Sequence, residues 1–389
     1  MLKDAQILYN YCTGCGLCKS IDNIELKTDK KGYYHPELTS ETQINLCKSI
    51  CPCFQNQRGD DDIWGHTESI CAGWSSDNYI RRVASSGGII TSCLCLLLRE
   101  DLIDAVIHIG ASKDIPWETT QYVSKTEKEV CDNCGSRYAI SHTLEHIDEL
   151  LAEDLRYAVV GRPCEIYSLN QYILSHPERG NQIIYKFSFF CGGIPSKIAN
   201  ERMFEELSCN KEDVVKVKYR GDGWPGKYCC STIDGEKHTM SYINSWGKVL
   251  GRDIAPICRL CSDGLGVYAD ISCGDAWYLE NEKPTFVEGL GRNVIISRTS
   301  KGNEILQMAI RKGVIEVEEY DKRQLAFAQR SQLERKSTML AKILAFKLMG
   351  KVTPQYNVKS MLQWAKYGNI RLQLRIFKGT LKRIKTKKV

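Results

Sequence analysis

The stretch RYAVVGRPCEIYSL, residues 156–169, reads as a buried strand to Gly161 and then as the start of a helix. Comparable strand patterns occur at residues 102–110, 182–190, 269–275 and 293–299. Helix patterns occur at residues 86–100, 164–174, 195–207 and 301–312, the last with Ser300 as its expected cap. Strands that alternate with helices are typical of an α/β body.

The composition is that of a globular protein with two or three domains. The chain has 389 residues, of which 43% are hydrophobic and 26% are charged, and this excludes wholesale disorder. No run of about eighteen apolar residues occurs, and the first ten residues lack an export signal. We therefore expect a cytoplasmic protein without a membrane-spanning helix.

Charge is distributed unevenly along the chain. Residues 331–389 carry a net charge of +14 with Glu334 as their one acid, whereas residues 1–330 carry −8. From residue 323 the sequence is helix-forming, which predicts a basic, helical tail over residues 323–389. Such a tail could lie on anionic lipid at the inner membrane face, dock to an acidic partner, or stay solvated and frayed. No nucleic-acid motif accompanies it, so no nucleic-acid partner is expected.

Residues 1–58 contain six of the nineteen cysteines, spaced as an iron-sulfur ligand set. So many thiols in a reducing compartment indicate metal or redox chemistry rather than disulfides. In bacterial two-cluster ferredoxins, C-x2-C-x2-C and a remote Cys-Pro supply the four ligands of one 4Fe-4S cluster. The corresponding residues here are Cys12, Cys15, Cys18 and Cys51. We therefore expect a small ferredoxin-like domain at residues 1–58, stabilised by metal.

The second ligand set of a two-cluster ferredoxin is missing from this region. Asp22 stands where the first half's own Cys-Pro cysteine belongs, and Glu41 and Ile44 replace two cysteines of the second half. Cys47 remains from that half, and with Cys53 it is a spare thiol. One 4Fe-4S cluster is thus expected, and a structural zinc site made from four of these thiols is the alternative.

Two short loops of the body contain residues suited to an anionic, planar ligand. Residues 84–88, Ala-Ser-Ser-Gly-Gly, precede an apolar helix, whose positive N-terminus suits a phosphate or pyrophosphate. Residues 135–138, Gly-Ser-Arg-Tyr, add a guanidinium and an aromatic face, which could hold a flavin. A plain helix cap and an ordinary surface turn are the alternatives.

Four body cysteines make a second possible thiolate site. Cys164 and Cys191 each follow the end of an apolar strand, at the edge where open α/β sheets bind their ligands. Cys258 and Cys261 form a C-x2-C pair in a loop. For each strand-end cysteine, a buried structural thiol is the alternative.

Together these motifs resemble the beta subunits of coenzyme F420 hydrogenases and dehydrogenases, an iron-sulfur flavoprotein family that includes plant hydroxymethyl-chlorophyll reductase. The matching text lies within residues 71–299 and comprises ASSGGIITSCLCLLL, GSRY, VVGRPCEIYSL, FFCGGIPS, CRLC and ADISCGDAW. Two departures stand out: Arg162 precedes Pro163 where the family has Thr, and Arg137 replaces Lys. Neither departure changes the interpretation of its motif.

The resemblance implies FAD beside a 4Fe-4S cluster in a body domain at residues 59–322. It makes four cysteines the cluster ligands, namely Cys164, Cys191, Cys258 and Cys261. The residues that it implies for holding FAD are Ser85, Ser86, Gly87, Gly88, Ser136, Arg137, Tyr138 and Asp275.

We accordingly expect an oxidoreductase that exchanges hydride at FAD and relays single electrons through 4Fe-4S clusters to or from a redox partner such as a ferredoxin. The sequence does not identify the molecule that exchanges hydride with FAD. Relatives occur in organisms without coenzyme F420 and in polysaccharide-synthesis operons, so a nucleotide sugar or glycan intermediate is an alternative to coenzyme F420. No G-x-G-x-x-G motif follows a strand, which leaves a dedicated NAD(P) domain unsupported. The alternatives are a non-catalytic electron-transfer subunit and a zinc-stabilised interaction protein.

Overall fold

The computed structural model describes residues 2–54 and 62–386. The expected boundary between residues 58 and 59 lies outside the described residues. Four sheets are present among the described residues, and the largest has eight strands.

The N-terminal region combines three helices with a two-stranded antiparallel sheet. Its elements are α1 (Leu2–Asn10), α2 (Leu17–Asp22), β1 (Leu26–Thr28), β2 (Tyr34–Pro36) and α3 (Glu41–Ile50). Ser40 caps α3, because its hydroxyl accepts a hydrogen bond from the Gln43 N–H at 3.1 Å. The loop between α1 and α2, the start of α2 and the residue after α3 carry the four cysteines of the predicted ligand set.

The body is built on a mixed eight-stranded sheet, as the strand and helix patterns predict. Its strands are β3 (Ser69–Ser75), β4 (Ala105–Ala111), β5 (Thr119–Ser124), β6 (Tyr157–Gly161), β7 (Ile183–Phe189), β11 (Ile271–Asp275), β14 (Asn293–Ser297) and β15 (Ile315–Glu319). The order across the sheet is β15-β3-β14-β11-β7-β6-β4-β5. Strands β4, β6, β7 and β11 are parallel, and antiparallel strands flank them on both sides. The carboxyl ends of β6, β7 and β11 therefore meet at one edge.

Smaller strands form two further sheets in the body. Strands β8 (Val214–Lys218), β9 (Lys227–Thr232) and β10 (Lys237–Ser241) make an antiparallel meander, and β12 (Leu279–Glu280) pairs with β13 (Lys283–Pro284). The segment between β8 and β9 brings Arg220 and Trp224 to the carboxyl edge of the large sheet.

Helices cover the large sheet and connect its strands. They are α4 (Asn78–Val83), α5 (Ile89–Arg99), α6 (Glu127–Asp132), α7 (Ile147–Leu150), α8 (Pro163–Ser175), α9 (Pro177–Gly180), α10 (Lys197–Glu206), α11 (Tyr242–Asn244), α12 (Pro256–Arg259) and α13 (Ser300–Arg311). The four expected helices are present with shifted ends. The expected cap Ser300 is wrong: it is the first residue of α13, and Thr299 accepts the hydrogen bond from the Gly302 N–H at 3.0 Å.

The C-terminal region folds into five helices that pack on the rest of the molecule. They are α14 (Lys322–Ala328), α15 (Arg330–Ser337), α16 (Met339–Leu348), α17 (Val358–Ala365) and α18 (Ile370–Lys385). Met339, Phe346 and Trp364 share one hydrophobic core with residues of the N-terminal region and the body. The alternative of a frayed terminus is therefore wrong for the described part of the tail. Within residues 2–54 and 62–386, no helix is both long and apolar enough to cross a membrane.

Candidate functional site

The four N-terminal cysteines of the predicted ligand set lie together. Burial raises the pKa of the Cys12 thiol well above its ordinary value, and the neighbouring Cys18, Cys51 and Cys15 raise it further. The Gly14 N–H points at the Cys12 sulfur, with N···Sγ at 3.3 Å. Such an N–H donor stabilises a thiolate, so this arrangement suits a site that holds sulfur in its anionic form.

Glycine at position 16 is required by this loop. Gly16 has φ +87°, and a Cβ placed on it would lie 2.8 Å from the backbone Cα of Glu145. A larger residue at position 16 would push the cysteine loop away from the body, because this position has a positive φ and no space for a side chain.

The two spare thiols of the N-terminal region lie beside the predicted ligands. The Sγ atoms of Cys53 and Cys51 are 3.3 Å apart, and Cys47 interacts with Cys18 closely enough to be the main cause of a raised Cys18 pKa. Spacing assigned Cys47 and Cys53 no role, and the fold nevertheless places them at the site.

The four body cysteines also come together, at the carboxyl edge of the large sheet. Cys164 lies in the first turn of α8 after β6, Cys191 follows β7, and Cys258 and Cys261 lie in and after α12. Burial, together with the neighbouring Cys191, raises the pKa of Cys258 to about 11. Burial likewise raises the pKa of Cys261 to about 12, with contributions from Cys258 and Cys191. The Ile194 N–H points at the Cys258 sulfur at 3.3 Å.

Two arginines supply positive charge to the body thiols. Burial raises the pKa of Cys164 well above its ordinary value, and Arg162 lowers it in part. Arg162 is buried and bonds to Glu165 through one nitrogen, but its Nε and Nη1 have no hydrogen-bond partner among the described residues. Arg335 reaches the same place from α15, where it donates to the carbonyl oxygens of Cys191 and Gly192 at 2.9 and 2.8 Å.

Unpartnered guanidinium atoms next to four thiols fit an anionic group bound between them. A buried donor without an acceptor is costly, and a thiolate-ligated cluster would accept from it. Within the part of the chain that the structure describes, no three His, Cys, Asp or Glu side chains converge tightly enough to hold one metal ion.

A cavity of about 660 Å³ opens beside the body thiols. This volume lies in the range of small-molecule and cofactor sites. Cys191 belongs both to the thiol set and to the cavity wall, and Cys273 of β11 also lines it. Most residues predicted to hold FAD line the same cavity, namely Ser85, Ser86, Gly88, Ser136, Arg137, Tyr138 and Asp275.

The two predicted loops meet at the cavity wall. The hydroxyl groups of Ser85 and Ser136 are hydrogen-bonded at 2.6 Å, although 51 residues separate them. Gly87 is placed differently: its N–H donates to Asn293 Oδ1 at 2.7 Å, and a Cβ on it would lie 2.7 Å from the Gly73 carbonyl oxygen. It allows the loop to pack against the sheet and is not among the residues lining the cavity.

Arg137 holds protein backbone together at the cavity wall. Its Nη atoms donate to the carbonyl oxygens of Pro116, Glu118 and Val217, and its Nε has no partner among the described residues. Tyr138 packs against Trp246, with ring centroids 4.7 Å apart. The guanidinium therefore fixes the loop through its Nη atoms, and its role in holding a ligand stays a prediction.

Asp275 is the most strongly held residue of the site. Arg220 binds it through both carboxylate oxygens at 2.8 and 3.0 Å, Ser86 donates to it at 2.5 Å, and Trp224 donates at 2.7 Å. Burial acts to raise the pKa of Asp275, and Arg220 with these donors lowers it by more, so its pKa lies below the ordinary value. The carboxylate is ionised at neutral pH.

Four further residues of the site were not predicted from the sequence. They are Arg220, Trp224 and the aromatic residues Tyr242 and Trp277, which pack around the Arg220 guanidinium. Trp277 lies in the quoted motif ADISCGDAW, and the signal for Arg220 and Trp224 was the glycine-rich run at residues 219–226, YRGDGWPG. Nothing in that run specifies Asp275, which lies 55 residues beyond Arg220, as a partner.

Two stretches of the chain match one known family, which is described as "Coenzyme F420 hydrogenase/dehydrogenase, beta subunit". Residues 70–148 match the N-terminal part of that family, and residues 154–323 match its C-terminal part. Together these regions contain all residues of the cavity predicted from the sequence and all four body cysteines. The N-terminal cysteines and the tail beyond residue 323 lie outside them.

Individual relatives have related names. The chain is 23% identical to the coenzyme F420 hydrogenase subunit beta of Methanothermobacter thermautotrophicus, covering 75% of this chain and 99% of that protein. It is 26% identical to the F420-dependent formate dehydrogenase subunit beta of Methanocaldococcus jannaschii, covering 76% and 72%. Among solved structures, one of the F420-reducing [NiFe] hydrogenase complex from Methanosarcina barkeri contains a similar chain. Its TM-score is 0.60 at 22% identity, covering 78% of this chain and all of that one, which shows a shared fold.

Proposed function

Because the chain belongs to the family of coenzyme F420 hydrogenase/dehydrogenase beta subunits, we propose that it is an iron-sulfur flavoprotein oxidoreductase. In this proposal FAD occupies the cavity, one 4Fe-4S cluster is held by Cys164, Cys191, Cys258 and Cys261, and another by the N-terminal set. Cys12, Cys15, Cys18 and Cys51 form that second set, in a ferredoxin-like domain.

The observation that carries the proposal is the position of Cys191, which belongs to the body thiol set and lines the cavity. When bound, FAD exchanges two electrons as a hydride and a 4Fe-4S cluster carries one electron at a time. Because Cys191 belongs both to the cavity wall and to the thiol set, the flavin and the cluster would lie next to each other.

The residues around the cavity would hold the flavin in one orientation. Asp275 is fixed by Arg220, Trp224 and Ser86, so it presents a negative charge at a fixed point of the wall. Ser85 and Ser136 present hydroxyl groups at the N-terminal side of α5, where backbone donors suit a pyrophosphate. Arg162 would donate its unpartnered Nε and Nη1 to the anionic cluster.

Helix α8 links the two thiol sets. Its first turn contains Cys164 of the body set, and it packs against α3 and the Pro52–Phe54 turn of the N-terminal region. Tyr167 on this helix is near enough to Cys51 and Cys53 for both thiols to raise its pKa. We therefore place the path of single electrons along α8, from the body cluster to the N-terminal cluster and on to a redox partner such as a ferredoxin.

The soluble hydride donor or acceptor is part of the same proposal. Coenzyme F420 fits the names of the relatives, and a nucleotide sugar or glycan intermediate of polysaccharide biosynthesis is the other substrate class considered. Anaerobic reduction of the purified protein by each candidate, followed by flavin absorbance, tests both. Flavin bleaching without a partner enzyme supports an enzyme, whereas bleaching that needs one supports the non-catalytic electron-transfer subunit.

The variant Cys191→Ser tests the placement of the body cluster. We expect it to lose about half the iron and to keep bound flavin, because the cavity retains its other walls. Cys209→Ser, which changes a thiol that does not line the cavity, is the control and should keep all iron. Full iron content in Cys191→Ser would contradict the assignment.

The basic helices α16 to α18 suggest a second contact. Several of their exposed cations have no ion pair among the described residues, namely Lys347, Lys359, Lys366, Arg371, Lys378, Lys382 and Lys385. Arg375, which is also exposed, pairs with Glu334 at 3.9 Å. Exposed apolar residues lie among them, namely Leu344, Leu348, Val358, Leu362, Tyr367, Ile370 and Leu374. Cations mixed with apolar side chains suit an anionic membrane surface, and we propose a peripheral contact there for a protein that is otherwise cytoplasmic.

Sedimentation with lipid vesicles tests this contact. We expect binding to vesicles that contain anionic lipid, and a loss of more than tenfold in the double variant Arg371→Glu and Lys378→Glu, since each cation near the surface contributes about 1 kcal/mol. Lys237→Glu, on the exposed strand β10, is the matched control. Equal sedimentation of the double variant and the unmodified protein would dispose of the membrane contact.

A further inference from the structure

Arg335 joins the C-terminal tail to the body thiol set. It lies on α15, twelve residues beyond the end of the matched family region at residue 323. Its guanidinium donates to the carbonyl oxygens of Cys191 at 2.9 Å and Gly192 at 2.8 Å, and the side chain lines the cavity. A part of the chain that the family description does not include thus reaches the centre of the site.

Several hydrogen bonds fix the contact between Arg335 and the Cys191 carbonyl. The Cys191 carbonyl accepts a second hydrogen bond from Gln332 Nε2, at 3.0 Å, so two side chains of the same short helix converge on one backbone oxygen. Arg335 is also anchored from behind, because its own carbonyl oxygen accepts a hydrogen bond from Lys342 Nζ at 3.2 Å. The guanidinium is therefore held in place next to Cys191.

The guanidinium of Arg335 places a positive charge beside the thiol set. It binds the backbone of Cys191 itself, so this charge is held next to one of the four proposed ligands. A second buried cation, Arg162, lies two residues before Cys164 and pairs with Glu165. Two fixed positive charges, one from the body and one from the tail, therefore lie next to residues of the thiol set.

We propose that Arg335 is a positioning residue of the body cluster that raises the cluster's reduction potential. The inference rests on the proposed function, because it needs a 4Fe-4S cluster at these thiols. Reduction adds negative charge, and a fixed cation nearby stabilises the reduced form. The tail would then raise the potential of the body cluster, which makes the cluster a better acceptor of electrons from the neighbouring flavin.

Redox titration followed by electron paramagnetic resonance tests the role on the full-length protein. In Arg335→Gln we expect one of the two cluster potentials to become more negative, with one-electron reduction about tenfold less favourable, or about 59 mV. Arg335→Lys keeps the charge and should stay near the unmodified value. Arg371→Gln, an exposed tail cation, removes the same charge elsewhere and should change neither potential.

Two outcomes would overturn the inference. The first is an unchanged pair of potentials in Arg335→Gln. The second is an equal shift in Gln332→Met, which removes a hydrogen bond to the same carbonyl without removing charge. If Arg335→Gln loses its iron, the potential of Arg335→Lys tests the inference in its place. A cluster that is retained in Arg335→Lys at the potential of the unmodified protein supports the role of charge. A cluster that is lost or shifted in Arg335→Lys contradicts it. Absence of iron from the unmodified protein would instead contradict the proposed function.

Discussion

At the scale of single residues, the buried pair of Asp275 and Arg220 dominates the wall of the cavity. The side chains are 17% and 4% exposed, and the guanidinium binds both carboxylate oxygens. Aromatic rings of Tyr242 and Trp277 cover the arginine. An ion pair withdrawn from water in this way depends on both partners, because either charge alone would be buried without compensation.

We predict that Asp275→Asn lowers the free energy of unfolding by about 3–5 kcal/mol, because it leaves Arg220 buried without its counter-charge. Urea unfolding of the two proteins measures the difference. Asp222→Asn breaks the exposed ion pair with Lys218 and should cost less than about 1 kcal/mol. Equal effects of the two substitutions would show that Asp275 is not held as described.

His108 provides a second prediction at this scale. Its ring lies on β4, buried, with Nε2 2.8 Å from the Ser124 hydroxyl, and burial lowers the pKa of His108 to about 4. The unfolded chain, with an ordinary pKa near 6.5, therefore binds more protons between these two pH values than the folded protein does. Stability contributed by neutral His108 is present above pH of about 6.5 and is lost as the pH falls towards 4.

We predict that between pH 7 and pH 5 the free energy of unfolding of the unmodified protein falls by about 2 kcal/mol more than that of His108→Gln. Urea titrations at several pH values give both curves. Parallel curves for His108→Gln and the unmodified protein would contradict a neutral, buried His108.

At the scale of elements, each cysteine set belongs to a separate part of the chain. We predict that Cys15→Ser removes about half the iron and spares the flavin, whereas Cys261→Ser removes the other half and weakens flavin reduction. Iron analysis and anaerobic reduction measure both effects. If Cys261→Ser keeps its iron and its redox spectrum, the body ligand set is wrong.

Local patterns predicted the elements better than their ends. The strand expected at residues 156–161 is Tyr157–Gly161, and the helix expected at 164–174 is Pro163–Ser175. These elements could be predicted because the pattern of apolar residues within a short segment indicates its secondary structure. The cap of α13 was missed by one residue, since Thr299 and Ser300 carry equivalent hydroxyl groups. Gly87, a predicted FAD residue, donates its N–H to Asn293, and this packing contact far along the chain could not be predicted.

The same distinction holds for the candidate site. The cysteines and the two loops could be predicted, because their spacing and composition are legible in sequence. Arg220 and Arg335 could not be, because their partners are Asp275 and the Cys191 carbonyl, which only the fold brings near. Long-range ion pairs and side-chain contacts to backbone leave no periodic signal in a single sequence.

At the scale of the whole molecule, the C-terminal helices tie the N-terminal region to the body. The Tyr11 hydroxyl donates to the Val352 carbonyl at 2.8 Å, and the Gln355 N–H donates to the Cys53 carbonyl at 2.7 Å. The Tyr356 hydroxyl donates to the Leu260 carbonyl at 2.7 Å, next to Cys261. The tail therefore contacts residues that neighbour both thiol sets.

The central claim is that this chain holds iron-sulfur clusters at two thiol sets beside a flavin. Iron, acid-labile sulfide, zinc and flavin measured on protein purified without oxygen test it most directly. We predict about eight iron atoms, an equal amount of sulfide and one FAD per chain. Colourless protein that contains zinc, with neither sulfide nor flavin, would contradict this claim and would support a zinc-stabilised interaction protein instead.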